Sequence, residues 1–295
     1  MTEVRIPTAD GELAASLRRP AGDGGAPVPC VVLAHGFTGV RDMHLDRPAE
    51  RFAAAGFAAL AFDYRHFGDS DGEPRQVLDV RRQYEDWDAA IAFARGLDGI
   101  DGRRIVLWGT SFSGGHVIDA AARDGDVAAV VAQCPFMDGL AQTRFTPPRI
   151  AARLTVDGVR DEIRRRRGRP PLMVPVTAPR GGYAMLADAH VWESIPFMVP
   201  PGSTWRNEVA ARVALRLGLH RPGRAAPRVG CPVLVQVVAE ATGVSHAAAE
   251  RVARAAPRGE LRTYPGLNHF DVYVGEGFEL LSRDQVEFLE RAVGA

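Results

Sequence analysis

Of the 295 residues, 46% are hydrophobic and the formal net charge is zero. That allows one large core with an insertion, or two small domains, and lacks the electrostatic footprint of a nucleic-acid binder. All 36 basic residues are arginine, so no lysine is available as a nucleophile or Schiff base.

The N-terminal stretch MTEVRIPTADGELAA carries no basic-then-apolar signal pattern. No apolar run approaches the roughly 18 residues that a bilayer span needs. A cytoplasmic protein with no membrane partner is therefore expected. GELAASLRRP predicts a strand after the turn at Asp10-Gly11, and CVVLAHG is a continuous apolar run of the kind that forms parallel strands covered on both faces. RPAERFAAAG predicts a helix closed by Gly56, and FAALAFDYR predicts the next strand. Val77, Val80, Tyr84, Trp87 and Ile91 recur at steps of 3, 4, 3 and 4, one helical stripe. Then come the strand RRIVLWG, the helix SGGHVIDAAARDG ended by Gly125, and the strand VAAVVAQCP. Strand and helix alternate, which predicts a parallel α/β sheet.

Residues 138–228 break the pattern with many prolines, the Arg164–Arg167 run and scattered large apolar side chains. One helix is expected there, from Trp205, Val209 and Val213 at i, i+4 and i+8. The alternation resumes with CPVLVQVV, SHAAAERVARAAP and GELRTYPG. Ser282 and Gln285 form a capping box that predicts the start of a last helix, with Val286, Leu289 and Val293 facing inward. Residues 1–137 and 229–295 are thus expected to form a core, with 138–228 as a cap insertion above the sheet. Cys30, Cys134 and Cys231 lie beside or within strand-like runs, and their number and spacing fit neither disulfides nor a metal site.

The strongest chemical signal is RRIVLWGTSFSGGHV: a strand, a sharp turn at Gly109-Thr110-Ser111-Phe112-Ser113, and a helix at once. A strained turn of this kind exposes a nucleophile and needs small flanking residues. Gly109 fits at −2, while Ser113 stands at +2 where glycine is usual. Ser111 is the candidate nucleophile, at the positive end of the helix. VVLAHGFTG offers a loop whose Phe37 N–H, with that of Phe112, would hold an oxyanion. His35 in that loop is expected to be structural. His269, in the loop GLNHFD after the last strand, is the candidate base, and the chain order Ser, acid, His fits.

Taken with FDYRHFGDSDGEPR and CPVLVQV, these motifs resemble the α/β-hydrolase superfamily, closest to dienelactone-hydrolase-like and X-Pro-peptidase-like bacterial esterases. The resemblance spans nearly the whole chain outside the insertion. It implies the α/β-hydrolase fold, a mostly parallel central sheet flanked by helices, and structural roles for Asp63, Arg65 and Asp69. It also implies an acid in the loop after CPVLVQV, but without gaps that position is Ala241. Three alternatives stay open: Glu240 replaces the acid, Asp138 at the end of the preceding strand supplies it, or none does. Asp271 is too close along the loop to His269 to serve.

The resemblance implies a serine-dependent carboxylic-ester hydrolase without cofactor or metal. The apolar insertion points to a bulky hydrophobic or polyketide-like substrate, with Trp192, Phe197 and Trp205 expected to line its pocket. A lyase using His269 as base and a non-catalytic binding protein are the alternatives, and a homodimer stays open. Arg164–Arg167 is expected to be a solvated face.

Overall fold

In the computed structural model the described residues are 1–22, 25–240 and 245–294, apart from the side chains at 239 and 240. The chain opens with β1 (Thr2–Thr8) and β2 (Gly11–Arg18). It continues through β3 (Val28–Ala34), α1 (Asp46–Ala54), β4 (Ala58–Phe62), α2 (Val80–Arg95), β5 (Ile100–Thr110), α3 (Phe112–Asp124) and β6 (Ala129–Gln133). The irregular stretch holds α4 (Gly139–Gln142), α5 (Pro148–Arg166), β7 (Met173–Val174), α6 (Ala189–Met198), β8 (Val209–Ala210) and α7 (Ala214–Leu217). The regular alternation returns with β9 (Val233–Glu240), α8 (His246–Ala255), β10 (Gly259–Asn268) and α9 (Gly275–Val293).

Eight strands form one sheet in the order β1-β2-β4-β3-β5-β6-β9-β10. The β1–β2 and β2–β4 pairs are antiparallel and the other pairs are parallel. β3 shows why the central strands are apolar throughout. Cys30, Val32 and Ala34 pack into one core and Val31 and Leu33 into the other, because successive side chains face opposite sides of a covered sheet. Trp87 of α2 and Val117 of α3 join the first core, and Phe52 of α1 and Leu289 of α9 join the second.

The chain runs from β3 to β4 on one side, then crosses back so that β5 lies on the other side of β3. Strand order reverses there, and the carboxyl ends of β3 and β5 flank a crevice where α/β sheets hold ligands.

Three expectations need correction. Residues 2–8 form an edge strand, β1, which the sequence reading left unassigned. The helix expected over Trp205–Val213 is instead β8 followed by a single 3₁₀ turn, Ala211–Val213. Val209 is buried where β8 pairs with β7, and Val213 where the 3₁₀ turn packs against α5, so their helical spacing had another cause. The last helix begins at Gly275, not Ser282. Ser282 is buried within it, and Gln285 turns inward, accepting from Trp108 Nε1 at 3.0 Å. A buried glutamine with an indole partner mimicked a capping box.

The 3₁₀ turn Pro222–Arg228 packs against α3 and α8. Among the described residues no helix is long and apolar enough to cross a membrane, and no cluster of His, Cys, Asp or Glu could hold a metal ion.

Candidate active site

At the end of β5 the backbone turns sharply, with Ser111 at φ 55° and ψ −114°. Such a conformation is costly for a residue with a Cβ and persists only where the surroundings enforce it. The enforcement is visible on both sides. A Cβ on Gly109 would lie 2.2 Å from the Ser113 carbonyl oxygen, and one on Gly36 would lie 3.0 Å from the Ser111 Cβ. These glycines let α3 fold back tightly and let the loop after β3 approach Ser111. The Ser111 N–H donates to the Gln133 carbonyl and the Phe136 N–H donates to the Ser111 carbonyl, both at 2.8 Å.

Ser113, the departure from glycine at +2, is fully buried and links two loops. Its hydroxyl donates to the His35 carbonyl and lies 2.6 Å from the Tyr64 hydroxyl. Trp87 Nε1 donates to Tyr64 at 2.7 Å. Indole, phenol, hydroxyl and carbonyl thus form one directed chain that fixes the loop carrying Phe37 against the elbow. The signal was in the sequence, as the unexpected serine, but its partner was not.

Ser111, His269, Phe37 and Phe112 all line one cavity of about 510 Å³. The Phe37 and Phe112 rings meet edge to face at 5.5 Å. His269 follows β10 and is buried, with Nδ1 lacking a hydrogen-bond partner among the described residues. Burial pushes its imidazole down to about 4, while the charge of Asp188 opposes that shift. A neutral ring at ordinary pH is what a general base requires. Two hydrogen bonds tie the loop that holds it: Asn268 Oδ1 accepts from Phe270 N–H, and Asp271 accepts from Asn268 N–H, both at 2.8 Å. Asp271 therefore ties the turn.

Of the two candidate acids, Asp138 is placed elsewhere. It caps α4, accepting from the N–H groups of Leu140 and Ala141, and pairs with Arg221 at 2.7 Å. It does not line the cavity, so its residue type marked a helix cap. Glu240 ends β9 beside Asn268, the neighbour of His269, while its side chain and Ala241 lie outside the described residues. A carboxylate that the sequence reading missed does line the cavity: Asp188, the N-cap of α6. As ADAH its capping role was legible, but its facing the site was not.

Trp205 lines the cavity, whereas Trp192 and Phe197 do not. They are 41% and 43% exposed. The cavity face of α6 is Val191, Ser194, Ile195 and Met198, an i, i+3, i+4, i+7 stripe, and the two aromatics fall off it. Phe197 touches the core through its backbone, its carbonyl lying 2.7 Å from His44 Nε2.

The flanking polar residues are held from below. Tyr273 and Thr110 line the cavity and share a hydrogen bond at 2.7 Å. Gln133 Nε2 donates to Thr110, and Gln285 Nε2 donates to both Gln133 and Gln236. His35 is buried, Nδ1 lying 2.9 Å from the Gly36 carbonyl, and burial lowers it to about 4. Asp63 accepts from the Arg41 backbone at 2.7 Å, Arg65 pairs with Asp86, and Asp69 pairs with Arg41. These groups brace loops, and none of the four lines the cavity except His35. Arg165 and Arg166 bind Glu162 along an exposed face of α5.

Comparisons with known proteins agree with this architecture. The chain is 43% identical over 291 residues to the quorum-quenching protein AidA of Acinetobacter baumannii, covering 99% of this chain and 95% of that one. It is 38% identical over 146 residues to the thiohydrolase aneE of Aspergillus aculeatus, covering 50% and 45%. The alpha/beta hydrolase GrgF from Penicillium sp. sh18 superposes with a TM-score of 0.85 at 23% identity, covering 100% and 99%. The model of the alpha/beta hydrolase family matches residues 31–279. With its elbow at the sheet's switch point and that match over most of its length, the chain belongs to the alpha/beta hydrolase family.

Proposed function

We propose that the protein is a serine-dependent hydrolase of an ester or thioester whose acyl part is bulky, apolar and uncharged. The observation that carries this reading is Ser111 at φ 55°, at the wall of a cavity shared with His269. In this reaction Ser111 Oγ attacks the carbonyl carbon while His269 takes its proton. The Phe37 and Phe112 N–H groups receive the oxyanion. Collapse expels an alcohol or thiol, protonated by His269, and leaves an acyl-Ser111 that water cleaves by the same steps.

The substrate class follows from the lining. Leu154, Val176, Met185, Ile195, Met198 and Trp205 supply apolar surface, and among the described residues no arginine lines the cavity. An anionic acyl group would lose its hydration with no arginine to receive it. The thiohydrolase relative supports the thioester alternative, and the resemblance to dienelactone-hydrolase-like esterases supports the ester.

The test is hydrolysis of p-nitrophenyl esters of rising chain length. Medium and long acyl chains should outpace acetate, and Ser111→Ala should lose roughly 10³-fold or more in kcat. Parent-like hydrolysis by Ser111→Ala would refute the serine mechanism. One observation favours a second reading, elimination on the same frame: a buried, neutral His269 suffices to remove an acidic C–H proton. In that case His269→Ala would harm turnover more than Ser111→Ala.

A further inference from the structure

We propose that Tyr273 is a substrate-recognition residue: its hydroxyl donates a hydrogen bond to an uncharged oxygen that the substrate carries within a few bonds of its scissile carbonyl. This role rests on the proposed reading of Ser111 and His269 as the reacting groups.

The buried network under the cavity wall has a fixed direction. The Trp108 indole N–H can only donate, and it donates to Gln285 Oε1 at 3.0 Å. That sets which end of the Gln285 amide carries hydrogens. Gln285 Nε2 then donates to Gln133 Oε1 at 2.9 Å and to Gln236 Oε1 at 2.7 Å. The far side agrees: Gln236 Nε2 meets the Leu281 carbonyl, which can only accept, at 3.1 Å. With its oxygen taken, Gln133 has only an N–H for Thr110, and it reaches Thr110 Oγ1 at 3.2 Å.

Thr110 and Tyr273 therefore carry two O–H protons and share a single bond, 2.7 Å long. Whichever hydroxyl donates in that bond, the other proton has no acceptor among the described residues. His269 Nδ1 does not receive it, having no partner of its own there. Both residues line the cavity that holds Ser111 and His269. Thr110 is 1% exposed and Tyr273 8%, so the outward bond falls to Tyr273, with Thr110 donating to the phenol oxygen. Burial pushes the phenol upward, so it keeps its proton at any ordinary pH. A buried donor left unmet is costly, and a folded chain keeps few of them. A substrate oxygen in the cavity meets this one.

Position narrows which oxygen. Thr110 directly precedes Ser111, and Tyr273 ends the 3₁₀ turn Asp271–Tyr273 that follows His269. The Tyr273 carbonyl accepts from Arg47 at 2.9 Å, which ties that turn to α1. The pair thus belongs to the catalytic end of the cavity, near the scissile bond and not the acyl tail. A hydroxyl donor placed there favours an ether or carbonyl oxygen over a methylene in the same place.

The test compares esters matched in length, one methylene being replaced by an ether oxygen. On the acyl side p-nitrophenyl octanoate is set against p-nitrophenyl pentyloxyacetate and p-nitrophenyl 3-butoxypropanoate. On the alcohol side butyl octanoate is set against 2-methoxyethyl octanoate. The ether-to-carbon ratio of kcat/KM is measured for the parent and for Tyr273→Phe. Comparing the two ratios cancels the intrinsic reactivity of the esters and the amount of folded enzyme. In at least one pair the substitution should lower the ratio about 3- to 10-fold, the worth of one neutral hydrogen bond. Binding of ethyl esters of the same acids, and of the butyl and methoxyethyl pair, is followed by tryptophan fluorescence in Ser111→Ala, with and without Tyr273→Phe. The affinity ratio should fall in the same pair. Binding needs no turnover, so it decides the role of Tyr273 even if Ser111 proves not to be the nucleophile. Ratios unmoved by Tyr273→Phe in every pair, whatever the loss common to both members, would mark a purely structural tyrosine and overturn the proposal.

Discussion

Ser113 shows how one residue can look like a flaw in a motif and act as a fastener. Glycine at +2 would leave the Tyr64 hydroxyl and the His35 carbonyl without the partner they share. Leaving a buried polar group unsatisfied costs about 1–3 kcal/mol. Ser113→Ala should therefore destabilise the fold by about that amount, seen as a lower urea midpoint with unchanged m-value. It should also lower kcat on an activated ester, since the loop bearing Phe37 loses its tie. Full stability in Ser113→Ala would mean that water or a repositioned Tyr64 replaces the bond. At this scale the sequence was most legible where steric demand was local. Gly109 and Ser111 announced the elbow because few residue types tolerate that turn. Asp138 was ambiguous, since a carboxylate at the end of a strand serves as an acid or as a helix cap, and its bonds to the N–H groups of Leu140 and Ala141 and to Arg221 reveal which.

Among the elements, the sheet was legible and the irregular stretch 138–228 was not, for one physical reason. Central strands bury both faces, so each displays an unbroken apolar run that survives any detail of the contacts around it. Apart from α5, the stretch 138–228 has short elements whose burial depends on distant partners: β8 pairs with β7, and the end of α6 is held by the loop below it. A residue's apolarity there does not reveal which way it points. The choice of Trp192 and Phe197 failed on that ground, while Ile195 on the same helix lines the cavity. Enlarging the inward position tests this directly. Ile195→Trp should raise KM for a long-chain ester several-fold, because it fills the space of the acyl tail, and should spare an acetyl ester. Trp192→Ala should leave both substrates near parental values, in keeping with the small effects of surface changes. Equal effects of the two substitutions would place the acyl tail outside the cavity.

Over the whole molecule, buried histidines tie stability to pH. His35, His220 and His269 are pushed down to about 4 and His116 well below 6.5, burial being the largest cause in each case. His116, on the elbow helix, and His220 sit ring to ring at 5.1 Å beside Phe112, where a charge on either would disfavour one on the other. Folded-state values below the unfolded value mean that the unfolded chain binds more protons between about 4 and 6.5. Stability from these groups is complete above pH 6.5 and is lost as pH falls toward 4. Asp63 and Asp86 act in the opposite sense. Burial raises them from 3.8 to about 6, so the folded state binds more protons between those values, and acidification relieves a penalty. His66 is lowered by burial as well, so five histidines oppose two aspartates, and the histidines begin to act at higher pH. Each unmatched group contributes up to about 1.4 kcal/mol per pH unit. The urea midpoint should therefore decline from pH 7 to pH 5, and unfolding near pH 5.5 should take up protons. A midpoint that held steady or rose on acidification would show that the histidines bury their charge with a partner, and for His269 that would point back to a carboxylate at its ring.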